Sequence, residues 1–276
     1  MEDLDFTRPA KSPIYDPAIA WEFFKFAGRA ESVSQGESFI VENQKGDKMY
    51  FLLEGEVGLI RGKKVIDIVR EGEIIGEMAV VSQQPRTATA VAKTACRVIS
   101  LEARQFQSAI QRMPEFALML MNIMINRLRL TIARLSISKA LPDEDRWREC
   151  SVFDRKFVAE LVRELQDRPP VHCPVHKVIM REGEAGVFMY VVLEGTVAVS
   201  LQSRIVERIG PGGVFGEMAL VDQFPRVASA VAETDCSLLA INRNDFLSLV
   251  KTNPGFGASL LKTVAERMRY MTSRDR

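Results

Sequence analysis

The sequence predicts an α+β fold built from two tandem β-rolls of the jelly-roll type, each flanked by N- and C-terminal helices. Two observations predict this class. The 276-residue chain repeats itself once, and each copy holds short strand patterns divided by glycine-containing turns, with helical patterns at both ends. A composition of 47% hydrophobic and 26% charged residues is typical of a globular protein with enough chain for two cores.

The repeat runs without a gap at an offset of 140 positions. The offset aligns Glu77 with Glu217, and several further landmarks align in the same way: Gly46 with Gly186, Glu54-Gly55 with Glu194-Gly195, Pro85-Arg86 with Pro225-Arg226, Pro114 with Pro254, and Arg127 and Arg129 with Arg267 and Arg269. A period this long indicates a duplicated domain rather than a solenoid. The polar stretch from Leu141 to Asp145 is suited to a linker. We therefore predict a first domain over 1–140 and a second over 141–276.

Each copy opens with a helix and continues with strands. Asp16 is suited to cap a helix whose first residue is Pro17, and Ala18–Phe26 carries the apolar stripe. The second copy has its equivalent over Lys156–Leu165. The predicted β segments of the first copy are Ser38–Val41, Met49–Leu53, Val57–Ile60, Lys64–Val69 and Thr87–Leu101. Closing helices follow Glu102 and Arg243, and a proline, Pro114 or Pro254, breaks each of them.

One segment of each copy combines an acid and an arginine nine residues apart, as Glu77 and Arg86 do. Gly76 permits a positive φ, and a helix starting at Glu77 would present free N–H groups to an anion. The guanidinium of Arg86 suits phosphate oxygens, and a carboxylate can accept a hydrogen bond from a sugar hydroxyl. The pattern predicts a site for a small sugar phosphate, such as a 3′,5′-cyclic nucleotide. The alternative is a buried Glu–Arg pair that ties a loop to the sheet.

This segment resembles the phosphate-binding cassette of the cyclic nucleotide-binding domain family, which includes catabolite activator proteins, regulatory subunits of protein kinase A and cyclic nucleotide-gated channels. That cassette reads Phe-Gly-Glu-(Leu/Met)-Ala-Leu, a variable loop, and Pro-Arg-x-Ala-(Thr/Ser). The second copy matches over Phe215–Leu220 and Pro225–Ser229. The first copy differs by Ile75 and Val80, both apolar exchanges.

The resemblance implies the roles of the site residues. Arg86 and Arg226 would bind the cyclic phosphate, and Glu77 and Glu217 the ribose 2′-hydroxyl. Backbone amides of alanines would line the phosphate, and a glycine would lie beside the ribose in each copy. The implied site residues are Gly76, Glu77, Met78, Ala79, Pro85, Arg86, Thr87 and Ala88 in the first copy, and Gly216, Glu217, Met218, Ala219, Pro225, Arg226, Val227 and Ala228 in the second.

The same resemblance bears on the ligand. Family members that favour cGMP often have a threonine after the arginine, so Thr87 allows cAMP or cGMP at the first site, whereas Val227 favours cAMP at the second. Tyr270 is the aromatic candidate to cover the base. No metal is expected, because His172, Cys173 and His176 have no third or fourth ligand nearby in the sequence.

Charge and composition narrow the partners. A net charge of +1 provides no field for nucleic acid or an anionic membrane, and the longest apolar run, Phe116–Ile125, is too short to span a bilayer. Four scattered cysteines and an acidic N-terminus without an apolar core favour a cytoplasmic protein. We expect neither nucleic acid nor a membrane as a partner.

The output is expected to be non-enzymatic, because the sequence contains no nucleophile–base arrangement and no Walker-type loop. A ligand-sensing regulator would act on an effector protein through its closing helices. The methionine-rich run 116–135 predicts a helix that either packs on the roll or forms an interface, between domains or in a homodimer. Two alternatives stay open: an adaptor with vestigial nucleotide sites, and a DNA-binding regulator with a basic surface that the sequence does not reveal.

Overall fold

The computed structural model describes residues 16–141 and 148–272, which fall into two compact units dividing between Ile123 and Met124. Most of the predicted linker, and the N-terminal segment 1–15, lie outside the described residues. The division between the units precedes the boundary at 140/141 that the repeat predicts, and that domain boundary stays a prediction.

From residue 16 onward, the described part of the first unit has one helix followed by eight strands. Helix α1, Pro17–Ala27, starts where the sequence predicts, because the Asp16 side chain accepts a hydrogen bond from the Ala18 N–H at 2.8 Å. The strands are β1 (Arg29–Val33), β2 (Ser38–Ile40), β3 (Lys48–Glu54), β4 (Val57–Arg61), β5 (Lys64–Val69), β6 (Ile74–Ile75), β7 (Thr89–Ala92) and β8 (Cys96–Glu102). Three helices complete the series: α2 (Glu77–Ser82) before β7, then α3 (Ala103–Ile110) and α4 (Pro114–Ile137) after β8.

These strands form two antiparallel four-stranded sheets, with the orders β1-β8-β3-β6 and β2-β7-β4-β5. The core between them includes Leu52, Val57 and Val98, which are fully buried. A second apolar cluster holds the helices to the roll, since the Phe23 ring of α1 stacks on Phe116 with centroids 3.6 Å apart. Strands that are distant in the sequence pair within both sheets, and the unit is therefore a β-roll flanked by helices.

The second unit repeats this plan. Its elements are β9 (Arg148–Cys150), α5 (Arg155–Glu164), β10 (Val171–Cys173), β11 (Val178–Met180), β12 (Phe188–Glu194), β13 (Val197–Leu201), β14 (Arg204–Ile209), β15 (Val214–Phe215), α6 (Glu217–Asp222), β16 (Ser229–Ala232), β17 (Cys236–Asn242), α7 (Arg243–Thr252) and α8 (Pro254–Thr272). One sheet has the order β10-β17-β12-β15. The other, β11-β16-β13-β14-β9, gains a fifth strand because β9 pairs in parallel with β14. Phe256 of α8 stacks on Phe153 at 5.6 Å, at the position that Phe116 occupies in the first copy.

The predicted fold class is confirmed: each unit is a β-roll with helices at both ends. The predicted β segment Thr87–Leu101 contains two strands. It divides into β7 and β8 at Lys93–Ala95, where the Thr94 hydroxyl accepts a hydrogen bond from the Glu56 N–H at 3.0 Å. A side chain that bonds to a neighbouring turn competes with the regular ladder, which explains the break.

Helix α4 has 24 residues, and its residues from Met124 onward belong to the second unit. By length and composition it is the one described helix that could cross a membrane, with a mean hydropathy of 1.3 over its most apolar 18-residue window. That window is 56% buried within the structure. Core helices of globular proteins have the same composition, so the hydropathy of α4 is weak evidence for a membrane span.

Candidate functional site

A six-residue helix follows a left-handed glycine in each unit. Gly76 precedes α2 and Gly216 precedes α6, both with φ of +82°. A residue with a Cβ would be strained in this conformation, which explains why glycine stands at both positions. The turn buries the first helical residue, so the carboxylates of Glu77 and Glu217 lie inside the protein.

The arginine of each cassette returns to this turn. Arg226 donates from Nη1 to the Gly216 carbonyl at 2.7 Å and from Nη2 to the Phe188 carbonyl of β12 at 2.5 Å. Arg86 makes the equivalent bonds in the first unit, to Gly76 at 2.9 Å and to a carbonyl of β3 at 2.5 Å. The two cassettes therefore have the same local geometry, and strand carbonyls fix the orientation of each guanidinium.

A second glycine makes room for each guanidinium. A Cβ at Gly186 would overlap the guanidinium of Arg226 and lie 2.9 Å from the Ala219 Cβ. A Cβ at Gly46 would lie 2.8 Å from the Arg86 Cζ. The sequence predicts these glycines as repeated turn residues, and the structure shows that they also leave the space the arginines occupy.

Both guanidiniums are buried cations. Arg86 and Arg226 are each 7% exposed, and removal from water lowers the pKa of each. The nearby Tyr50 and Tyr190, and then the carboxylates of Glu77 and Glu217, partly oppose this lowering. No ion pair joins either arginine to a carboxylate within the described residues. Each guanidinium bonds to backbone carbonyls rather than to the cassette glutamate, whose charge acts on it from nearby.

A cleft with a cavity volume of about 80 Å³, partly open to solvent, lies beside the cassette of the second unit. Seven of the eight predicted residues of the second copy line it: Gly216, Glu217, Met218, Ala219, Arg226, Val227 and Ala228. Its remaining walls are mainly apolar, with Leu128 and Ile132 from α4 and Tyr270 and Met271 from α8. A mostly apolar cleft with a few convergent charges is typical of a small-molecule site.

Two acidic side chains of this cavity share one arginine of α8. Arg267 donates from Nη1 to Glu217 Oε1 at 2.7 Å, from Nε to Glu207 Oε2 at 3.0 Å, and from Nη2 to the Val214 carbonyl at 2.6 Å. The last helix is therefore bonded directly to the cassette glutamate. A ligand that changes the hydrogen bonds of Glu217 would therefore also change how α8 is held.

The far end of the cassette helix bonds to α4 within the second unit. Arg129 forms a two-bond ion pair with Asp222, the last residue of α6, and donates from Nη1 to the Pro225 carbonyl at 2.9 Å. The guanidinium also lies 5.8 Å from the ring centroid of Phe224. This contact holds the loop between the cassette glutamate and its arginine.

Family comparison agrees with this geometry. A family model described as "Cyclic nucleotide-binding domain" matches the chain twice, over residues 30–113 and 170–253. The chain belongs to the cyclic nucleotide-binding domain family. Its two matched regions form a tandem pair, and each contains one complete cassette.

Curated relatives of the tandem cyclic nucleotide-binding chain include two bacterial channels. A cyclic nucleotide-gated potassium channel of Mesorhizobium japonicum is 39% identical over 110 residues, and one of Rhizobium etli is 41% identical over 116 residues. These alignments cover 40% and 42% of this chain, and 30% and 32% of the channels. The chain thus matches about a third of the length of these relatives.

Among solved structures, the regulatory domain of Toxoplasma gondii PKA with cAMP is 19% identical, covers 93% of this chain and 95% of its own, and has a TM-score of 0.34.

Sequence reasoning predicted the cassette residues of these cyclic nucleotide-binding domains but not their partners. Arg267 repeats as Arg127 at the same offset, which is a signal that could have pointed to it. Glu207 has no such signal, since the first copy has Asp67 in its place. Pro225 is the one predicted residue of the second copy outside the cavity lining. Among the described residues no cluster of three or more His, Cys, Asp or Glu side chains could hold a metal ion.

Proposed function

We propose that this chain is a non-catalytic sensor of a 3′,5′-cyclic nucleotide that transmits binding through its closing helices to an effector protein. The observation that carries the proposal is the pair of buried guanidiniums, Arg86 and Arg226, which are hydrogen-bonded to backbone carbonyls and not to a carboxylate. A buried charge in this state is stabilised by an anionic ligand. Membership of the cyclic nucleotide-binding domain family supports a cyclic phosphate as that anion.

The roles proposed for the site residues follow their positions. Arg86 and Arg226 bind the phosphate, and Glu77 and Glu217 accept the ribose hydroxyl. The remaining cassette residues shape the contact through their backbone: Gly76, Met78, Ala79, Pro85, Thr87 and Ala88, with Gly216, Met218, Ala219, Pro225, Val227 and Ala228. Val227 adds an apolar wall to the second cavity, which supports cAMP there, and Tyr270 on the same cavity is proposed to cover the base. Thr87 supports cAMP or cGMP at the first site.

Transmission is proposed to use the contact between Glu217 and Arg267. A ribose hydroxyl arriving at Glu217 competes for the carboxylate that holds α8 at 2.7 Å. Ligand shifts the position of α8 only to the extent that it binds one arrangement more tightly than the other, typically by about 1–3 kcal/mol. The linked domains, proposed as 1–140 and 141–276, then report occupancy to the effector.

The proposed setting is the cytoplasm, without nucleic acid or a membrane as a direct partner, in line with the net charge of +1. An ion channel is one class of effector that the two curated relatives bring into consideration. The apolar character of α4 and its methionines is compatible with a homodimer contact.

The test is isothermal titration of cAMP and cGMP into nucleotide-stripped full chain, beside Arg86→Ala and Arg226→Ala. Each variant is the control for the other, and each is expected to lose one of two binding events. Lysine at the same positions keeps the charge but not the two-bond fork, so Arg86→Lys and Arg226→Lys should bind with intermediate affinity. Thermal unfolding of every variant shows that it is folded. A folded, stripped chain that binds neither nucleotide refutes the sensor and favours the adaptor.

A further inference from the structure

The side chain of Glu207, on strand β14, is buried in the second unit and lines the same cavity as the cassette. It is 7% exposed. Its Oε2 accepts the Arg267 Nε–H at 3.0 Å, while its Oε1 has no hydrogen-bond partner among the described residues. One oxygen of this carboxylate is therefore satisfied and the other is not.

An unsatisfied buried carboxylate oxygen is rare, because it has lost its hydration without gaining a donor. The apolar walls of the cavity, among them Leu201, Val206 and Phe215, cannot supply one. A ligand in the cavity can supply the missing donor, because Glu207 Oε1 is bonded to no residue of the lining.

The first copy does not share this arrangement. Asp67 stands at the equivalent position on β5, where it is exposed and its Oδ1 accepts the Ile68 N–H at 2.8 Å. The unsatisfied oxygen of Glu207 therefore distinguishes the second cavity from the first copy.

We propose that Glu207 Oε1 accepts a hydrogen bond from the exocyclic amine of adenine when cAMP occupies the second site, and so selects the base. This inference rests on the proposed function. One guanidinium, that of Arg267, binds both Glu207 and Glu217, so the two carboxylates lie side by side along the cavity. With the ribose hydroxyl assigned to Glu217, the base is the part of the ligand that retains N–H donors for Glu207.

Adenine fits this acceptor better than guanine does. Adenine offers one donor group, its amine, and Glu207 has one oxygen to receive it. Guanine places two donors next to each other, N1–H and the 2-amine, and these pair best with both oxygens of a carboxylate. The Oε2 of Glu207 is already bound to Arg267. Val227 adds no hydroxyl that could serve the second guanine donor.

The experiment is a cycle of ligand and protein changes in the full chain. Arg86→Ala confines the titration heat to the second site, and the titrations are repeated with Arg86 intact. The ligands are cAMP, purine riboside 3′,5′-cyclic monophosphate, which lacks the amine, and 2′-deoxy-cAMP. The protein variant is Glu207→Gln, and the matched control is Asp67→Asn at the equivalent exposed position.

We expect the amine-free ligand to bind the unmodified site roughly 10- to 100-fold more weakly than cAMP, the usual loss for a hydrogen bond to a charged group. Glu207→Gln should reduce this ratio to about 1, while its affinity penalty for 2′-deoxy-cAMP stays as in the unmodified site. In Asp67→Asn the amine ratio should equal that of the unmodified site. An unchanged amine ratio in Glu207→Gln refutes the inference and leaves the sensor intact. Loss of the 2′-deoxy penalty instead assigns Glu207 to the ribose and also refutes it. Absence of cyclic nucleotide binding in the unmodified chain refutes the proposed function and this inference with it. The two ligand ratios in the unmodified chain test for the amine contact even if a variant does not fold.

Discussion

Replacing Arg129 with methionine is expected to lower the free energy of unfolding of the second unit by about 4 kcal/mol. The change removes both bonds of the guanidinium to Asp222, whose side chain is 1% exposed. The carboxylate would remain buried, with the Phe224 N–H at 3.0 Å as its one remaining bond among those the structure describes. Methionine keeps the aliphatic stem, so the effect reports the lost charge rather than lost packing.

The magnitude follows from the burial of the two partners. Removing one partner of a buried ion pair typically costs about 3–5 kcal/mol. Water reaches the Arg129 side chain, which is 18% exposed, so the lower end of that range applies. The bond from Nη1 to the Pro225 carbonyl at 2.9 Å adds about 0.5–1.5 kcal/mol. Asp222→Asn in the same chain removes the stranded charge and should recover about 2 kcal/mol of the loss.

Urea unfolding followed by circular dichroism measures the four members of this double-mutant cycle. Arg155→Met, at an exposed arginine of α5, is the control and should change stability by less than about 0.5 kcal/mol. A coupling energy near zero between Arg129 and Asp222, with both single variants folded, would refute the reasoning. It would mean that the bonds seen in the structure contribute no net stability.

Two further predictions concern packing and pH. Gly186→Ala places a methyl group against the guanidinium of Arg226 and should abolish nucleotide binding at the second site, whereas Gly210→Ala, which meets nothing within 4 Å, should bind as the unmodified chain does in the same titration. The Ser100 hydroxyl, and to a lesser extent a nearby lysine, holds the pKa of Glu31 below its usual range. Because that pKa is lower in the folded chain, its stabilising effect is complete above about pH 5 and is lost as the pH falls through the folded value. Ser100→Ala should therefore lower the urea midpoint most above about pH 5 and progressively less as the pH falls through the folded pKa of Glu31, and a difference independent of pH would contradict this assignment.

Local chemistry made much of the fold predictable. The cap at Asp16, the proline breaks before α4 and α8, and the glycine before each cassette helix act on neighbouring residues, so they can be read from the sequence. Strands β1 and β6, their counterparts β10 and β15 in the second unit, and β9 were missed. Each is two to five residues long, and β1 depends on its pairing with β8, about seventy residues away.

In the candidate site, too, residues close together in the sequence were predictable and their distant partners were not. The acid, the arginine and the glycines of each cassette lie in short segments with a fixed spacing. Their partners come from distant segments: Arg267 is 50 residues from Glu217, and Arg129 is 93 residues from Asp222. Contacts over such distances depend on how the sheets and helices pack, and the repeat supplies the only sequence signal for them. Glu207 departs from the repeat, so its role required the structure.

The continuity of α4 decides where the chain can be divided. Leu128 and Ile132 wall the cavity of the second unit, and Arg129 bonds its cassette loop, yet all three precede the predicted boundary at 140/141. A fragment that starts at residue 141 would lack the wall of this cavity that α4 provides and would expose the apolar residues that α4 covers. The region of the second family match, 170–253, is therefore not expected to form this cavity when it is expressed alone. A fragment that is to contain the complete second unit must begin at or before Met124.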